Sequence, residues 1–146
     1  MSHTLLAFAA LGSVAMYSLH THKSSQQQNL NAHRTEVEAH AETLGGDLLD
    51  RAAALPFSGA GTETGVALLD AQSLDQWDGK SDTVAAPVGA DTLWYTVRAA
   101  VAAVEQSGGQ FVAGDDSAPF RRVTLTIEGA LSTSASVERV YADLSQ

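Results

Sequence analysis

The residues that could do chemistry are sparse and unevenly placed. The chain has five histidines, all within its first 40 residues: His3, His20, His22, His33 and His40. His20-x-His22 is a pair that could bind a metal. On a helix their side chains diverge by about 200°. His33 and His40 lie two turns apart, too far to share an ion, and no third ligand completes a site. There is no cysteine, which removes disulfides, thiolate metal sites and cysteine nucleophiles. Outside the first 40 residues there is no histidine to activate a serine. Asp75, Asp78 and Asp82 form an acidic loop within Gln72–Thr83. Their spacing is not that of an EF-hand, and no bidentate glutamate follows. Asp115-Asp116 reads as a solvated loop pair rather than two carboxylates across a deep cleft. Ser58–Gly65 is glycine-rich, but it lacks the Lys-Ser/Thr ending of a phosphate loop and reads as a connector. Trp77 and Trp94 could line a binding surface, although packing is the stronger reading for both. These residues support neither an enzyme nor a cofactor or metal site.

The elements around these residues say more. The first 19 residues contain no Asp, Glu, Lys or Arg, and Leu5–Met16 is almost wholly apolar. The run Thr4–Leu19 is shorter than the roughly 20 residues of a relaxed membrane span. Before it, Met1-Ser2-His3 has no basic residue of the kind that opens a signal peptide. Ala7, Ala9, Ala10, Gly12, Ser13 and Ala15 are small and suit close helix–helix approach. Leu5, Leu6, Phe8, Leu11, Val14 and Met16 supply bulk for packing against a membrane or against copies of the same segment. His20, His22 and Lys23 are placed to sit at a headgroup level.

Beyond a polar stretch, Leu30, Val37, Ala41, Leu44, Leu48, Ala52 and Leu55 recur at helical steps and mark one apolar stripe. Arg34, Glu38, Glu42 and Arg51 take the other side. Such a stripe is expected to pack on a sheet of the same chain through Leu30, Val37, Leu44, Leu48 and Leu55. Gly45-Gly46 predicts a bend or break, since each glycine costs about 1 kcal/mol against alanine in a helix interior. Pro56 makes Leu55 the expected last helical residue.

The remaining residues alternate. Leu93, Tyr95, Val97, Ala99 and Val101 share one face of a strand over Asp91–Glu105, with Trp94, Thr96 and Arg98 on the other. Arg121, Val123, Leu125 and Ile127 oppose Arg122, Thr124, Thr126 and Glu128. Ser107-Gly108-Gly109 is a turn and Phe111-Val112 begins a return. Gly65–Asp70 is expected as a short strand and Val137–Leu144 as the last one. Hairpin-linked strands predict an antiparallel sheet. The expected fold is therefore α+β. Residues 1–22 form a hydrophobic helix, 23–56 an amphipathic helix, and 57–146 a small β-rich head on which the helix packs.

Charge is split along the chain. Residues 1–35 hold Lys23 and Arg34 and no acid. Residues 36–146 hold all 17 acids and six of the eight bases, hence −11. A head this acidic is a poor nucleic-acid binder.

This pattern resembles that of the type IV pilins and pilin-like proteins. The matching stretches are Thr4–Leu11 (TLLAFAAL), the helix through Arg51–Pro56 (RAAALP), and the strand pair Leu93–Arg98 (LWYTVR) with Arg121–Ile127 (RRVTLTI). The acidic-aromatic-glycine loop Leu74–Gly79 (LDQWDG) adds to it. The resemblance implies a structural subunit of an extracellular pilus-like filament at the cell surface. Its apolar helices would form the filament core as a homopolymer. It implies anchoring in the inner membrane before assembly, partnership with assembly machinery, and Met1 as the mature, N-methylated terminus. Met1–Leu11 contains no glutamate, where the family usually places one. That departure fits a minor role or an atypical filament, and a minor pilin or pseudopilin of a secretion system is one alternative. The other alternative is a monomeric, membrane-anchored periplasmic or surface binding domain.

Overall fold

A computed structural model describes the backbone of residues 2–57, 67–88 and 91–143. Side chains are described from Met16 onward within these, apart from Val88 and Leu131. The fold is α+β. Helix α1 runs Ser2–Ala52. Strands β1 (Ser81–Val88), β2 (Asp91–Ser107), β3 (Gln110–Ala113), β4 (Phe120–Glu128) and β5 (Ser134–Ala142) follow. Short 3₁₀ turns occupy Leu68–Asp70, Asp75–Trp77 and Ala130–Ser132. The chain divides into two compact units, Met1–Glu36 and Val37–Gln146.

The sheet is antiparallel throughout, in the order β1-β2-β4-β5, with β3 on β2 as well. The 17-residue β2 is its spine. Its alanine-rich second half, Ala99–Val104, stays extended because β4 pairs with it from Phe120 to Glu128. Tertiary pairing here overrides the helix preference of alanine. The Ser107–Gln110 hairpin closes over Gly108 and Gly109, both at positive φ (59° and 83°). This is the left-handed geometry that two-residue hairpin turns demand.

The inward face follows the alternation. Tyr95, Val97 and Ala99 of β2 and Val123, Leu125 and Ile127 of β4 are buried. They share a core with Val37, Ala41, Leu48, Leu49 and Ala52 of α1 and with Leu68, Leu74 and Trp77. Leu44, Leu55, Val137 and Tyr141 pack against it, partly buried.

Several expectations are corrected. The helix does not break at Gly45-Gly46 but runs through it. It ends at Ala52 rather than Leu55, and its last turn tightens: Ala54 and Leu55 donate to the carbonyls of Arg51 and Ala52, each at 3.1 Å. Leu68–Asp70 is a 3₁₀ turn, not part of a strand. The last strand begins three residues earlier than expected, at Ser134, and ends at Ala142. Strand β1 falls partly in what read as an acidic loop. Leu30, expected on the sheet-packing stripe, is 60% exposed, so the buried stripe starts at Val37. The connector expected at Ser58–Gly65 lies outside the described residues.

Candidate functional site

The features with functional content are the helix and the contacts that fix its second half on the sheet. Within the Val37–Gln146 unit three polar ties support the apolar contact. The Tyr95 hydroxyl donates to the Val37 carbonyl at 3.5 Å. The Tyr141 hydroxyl donates to the Leu49 carbonyl at 2.6 Å. Arg139 on β5 reaches Asp50 at 2.5 Å. Donating a hydrogen bond to the Asp50 carboxylate holds the Arg139 guanidinium above its ordinary pKa, while burial pushes the Tyr141 phenol up. Tyr141 therefore stays a neutral donor well into alkaline solution.

Gly45 sets how close the helix comes. A Cβ there would lie 2.5 Å from Val137 Cγ2 and 2.9 Å from Ile127 Cδ1. Its neighbour Gly46 has nothing within 4 Å. The pair that read as a helix breaker is one contact glycine and one spare.

The acidic residues are used structurally. Beyond Ser81 the edge of β2 is continued by backbone: Gly79 donates to the Ala99 carbonyl at 3.1 Å and Ala99 donates to the Lys80 carbonyl at 2.9 Å. The next amide, Val101, donates to Asp78 Oδ1 at 2.9 Å. After it, Gly114 donates to the Ala103 carbonyl at 3.0 Å, and β3 takes over from Val104. The Asp78 carboxylate thus fills a one-residue gap between β1 and β3. Asp78→Ala is expected to cost about 1 kcal/mol, the net worth of one hydrogen bond at an edge that water can reach. Urea unfolding and amide exchange at Val101 check it; Asp78→Asn should recover part of the loss.

Asp75 accepts from Arg121 Nε at 3.2 Å. Arg121, only 8% exposed, also donates to the carbonyls of Ala118 (2.9 Å), Phe120 (3.3 Å) and Asp116 (2.9 Å). Its guanidinium lies 5.4 Å from the centre of the Phe57 ring. Asp115 Oδ1 caps its own turn by accepting from the Ser117 hydroxyl (2.6 Å) and amide (2.9 Å), which holds its pKa down. Asp82 Oδ1 accepts from the Thr83 amide at 2.8 Å.

A cleft of about 680 Å³ is lined by Asp75, Asp78, Asp116, Asp143, Arg121 and Phe57, among others. A second, of similar volume, lies where α1 ends, against Leu74 and Val140–Asp143. Among the described residues no three His, Cys, Asp or Glu side chains come together to hold a metal ion. Trp77 is fully buried in the core, whereas Trp94 is 65% exposed.

Of the residues expected in a filament core, Leu5, Leu6, Phe8, Leu11 and Val14 lie on the backbone of α1, and their side chains are outside those described. Met1 is outside the described residues. Met16 is 77% exposed, beside Tyr17 at 74% and Leu19 at 72%. Among the described residues no helix is long and apolar enough to cross a membrane. Of the residues expected to pack on the sheet, Val37 and Leu48 are buried and Leu44 and Leu55 half-buried. Sequence reasoning missed Gly45 as a contact residue, Asp78 as a strand substitute and Arg121 as a clamp. Only Arg121 left a signal, as a charge at an inward position of an alternating strand. Comparison with protein-family models, curated proteins and solved structures finds no match.

Proposed function

We propose that the chain is a structural subunit of a pilin-like filament, assembled through its N-terminal helix and presenting an acidic sheet-bearing head. One observation carries this reading. A single helix, Ser2–Ala52, changes role along its length. From Val37 onward it is built into a core with the sheet, while Met16, Tyr17, Leu19 and Leu30 keep large apolar side chains exposed. An apolar surface of that kind marks a place for a partner. In sequence, the charge-free run Leu5–Met16 leads into it. In this reading the apolar segment is first held in the inner membrane and is then transferred by assembly machinery into a bundle of copies. The heads face the outside of the cell. Head-to-tail repetition of one contact generates an open helical assembly. Burial at roughly 25 cal/mol per Å² of apolar surface supplies the drive.

Replacing Leu6 or Val14 by Asp is expected to abolish filaments in sheared cell-surface material viewed by electron microscopy, with the protein still made and its head folded. A charge at the centre of a lipid-embedded or bundled helix costs about 2.5–3.5 kcal/mol, repeated at every subunit. Filaments of normal number from either variant would overturn the proposal. The mass of the native N-terminus is an independent check: a methylated Met1 supports processing of the pilin kind.

A further inference from the structure

The antiparallel register sorts the face of the sheet turned away from the core into rows that cross β1, β2, β4 and β5. Ser81, Arg98, Thr126 and Ser136 stand side by side in one row. Thr83, Thr96, Glu128 and Ser134 form the next. Neighbours within a row are about 4.8 Å apart and the rows about 6.8 Å apart. Apart from Arg98 and Glu128 every member is a serine or threonine. Those two are tied across the rows: Arg98 Nη2 donates to Glu128 Oε2 at 3.4 Å, and both side chains stay exposed. Trp94 stands at the corner of this array, two residues before Thr96 on the same face. Its β1 partner is Ala85. The β2–β4 pairing stops at Thr96 and Glu128, so no β4 residue stands opposite Trp94. With a methyl group on its one paired side, the indole is 65% exposed. A lone aromatic among hydroxyls is too little apolar surface for a protein hot spot, whose aromatics sit in desolvated pockets ringed by other contacts. Charge argues the same way. The strands put two cations, Arg98 and Arg122, and two acids, Glu128 and Glu138, on this face. It is balanced, within a part of the chain that is strongly acidic. A neutral ligand matches it better than a nucleic acid, an anionic lipid surface or a basic peptide.

We infer that this face binds a neutral oligosaccharide. A pyranose ring presents an apolar C–H face and a rim of hydroxyls. The C–H face stacks on the Trp94 indole, whose negative π-face attracts polarised C–H groups. Adjacent hydroxyls both donate and accept. They suit the Arg98–Glu128 pair, which offers donors and acceptors side by side. Arg98 lies four residues from Trp94, about 13 Å along the strand, within reach of a short run of linked rings. The site is flat, so its affinity is modest and rests on stacking. The inference stands on the sheet alone and is independent of the use made of α1.

The full chain, held in phospholipid nanodiscs, is probed with an array of neutral oligosaccharides, cellotetraose, maltotetraose and chitotetraose among them. Heparin fragments are the anionic control. Acrylamide quenching of tryptophan fluorescence reports Trp94, because Trp77 is fully buried in the core. Titration calorimetry gives the affinities. At least one neutral oligosaccharide is expected to bind saturably and to shield Trp94. Trp94→Ala should weaken that binding roughly tenfold or more, Trp94→Tyr much less, and Arg98→Met roughly threefold or more. Phe111→Ala, which removes an exposed aromatic on β3 away from these rows, should leave it unchanged. Failure of every neutral sugar to bind, binding of heparin alone, or binding undiminished in Trp94→Ala overturns the proposal. So does a Trp94 already shielded from acrylamide before sugar is added, which would place another protein surface on this face.

Discussion

Replacing Arg121 by Met is expected to cost the sheet-bearing unit about 3–5 kcal/mol, the scale for removing one partner from a buried charged network. The substitution keeps much of the apolar stem and removes the fork. Four acceptors then lose their donor: the carbonyls of Asp116, Ala118 and Phe120 and the carboxylate of Asp75. Asp75 is partly exposed, its side chain at 45%, and water can replace Arg121 there. The three carbonyls matter more, because all belong to the return from β3 into β4, which the one guanidinium holds together. Hydrogen bonds from a charged donor are worth about 1.5–3 kcal/mol each, and several on one group do not add. Arg121→Lys should recover less than half, since an ammonium on a flexible stem cannot reach several carbonyls in a plane. The measurement is urea unfolding, with a lowered midpoint at an unchanged slope. Amide exchange should quicken first at Gly114 and Ala118, whose backbone bonds close this turn. A loss below about 1 kcal/mol would show that the clamp is decorative.

The second large effect is expected at Gly45. An alanine Cβ there meets Val137 Cγ2 at 2.5 Å and Ile127 Cδ1 at 2.9 Å. Val137 is β-branched and stiff at χ1, so it does not swing aside at little cost. The helix or β5 must retreat, and the Tyr141–Leu49 and Arg139–Asp50 ties stretch with it. Two terms compete. Alanine improves helix propensity by about 1 kcal/mol, and overpacking costs about 1–3 kcal/mol. Gly45→Ala should therefore be mildly destabilising. Gly45→Leu adds three more carbons in the same place and should lose about 3 kcal/mol or more. Gly46→Ala isolates the propensity term, because nothing lies within 4 Å of its Cβ. It should gain up to about 1 kcal/mol. Adding Val137→Ala to Gly45→Ala should return part of the loss, and the double-mutant cycle measures the coupling. Equal effects of alanine at positions 45 and 46 would refute the close-approach argument.

These two residues also show what could be read from the chain alone. Alternation sets Arg121 on one face with Val123, Leu125 and Ile127, and that face is the buried one. Its partners could not be read, since Asp75 lies 46 residues away and Asp116 reaches it only through a turn. Gly45 was read through propensity as a break. The helix passes through it because packing on β4 and β5 outweighs a local preference of about 1 kcal/mol.

Strand β1 shows the same limit from the other side. Ser81–Val88 contains Asp82 and Pro87 and has little β character of its own. It is a strand because β2 pairs with all eight of its residues, with Pro87 tolerated at the sheet edge. Periodicity reported that the stripe from Leu30 to Leu55 was apolar, but not where its cover would start. Leu30 and Val37 are seven residues apart on one face; one is 60% exposed and the other fully buried.

By itself the sequence determined the α+β class, which residues of β2 and of β4 share a face, an apolar helical stripe from Leu30 to Leu55, and the separation of a basic N-terminal stretch from an acidic remainder. Each of these depends on spacing over a few residues, where side-chain direction repeats every 2 or 3.6 positions. The tertiary structure alone decided which strand completes the sheet edge, why one glycine of two faces the sheet, and which acids and cations are tied within the head. It also decided where the helix face is left bare. Those outcomes depend on contacts between residues tens of positions apart, and local periodicity carries no record of them.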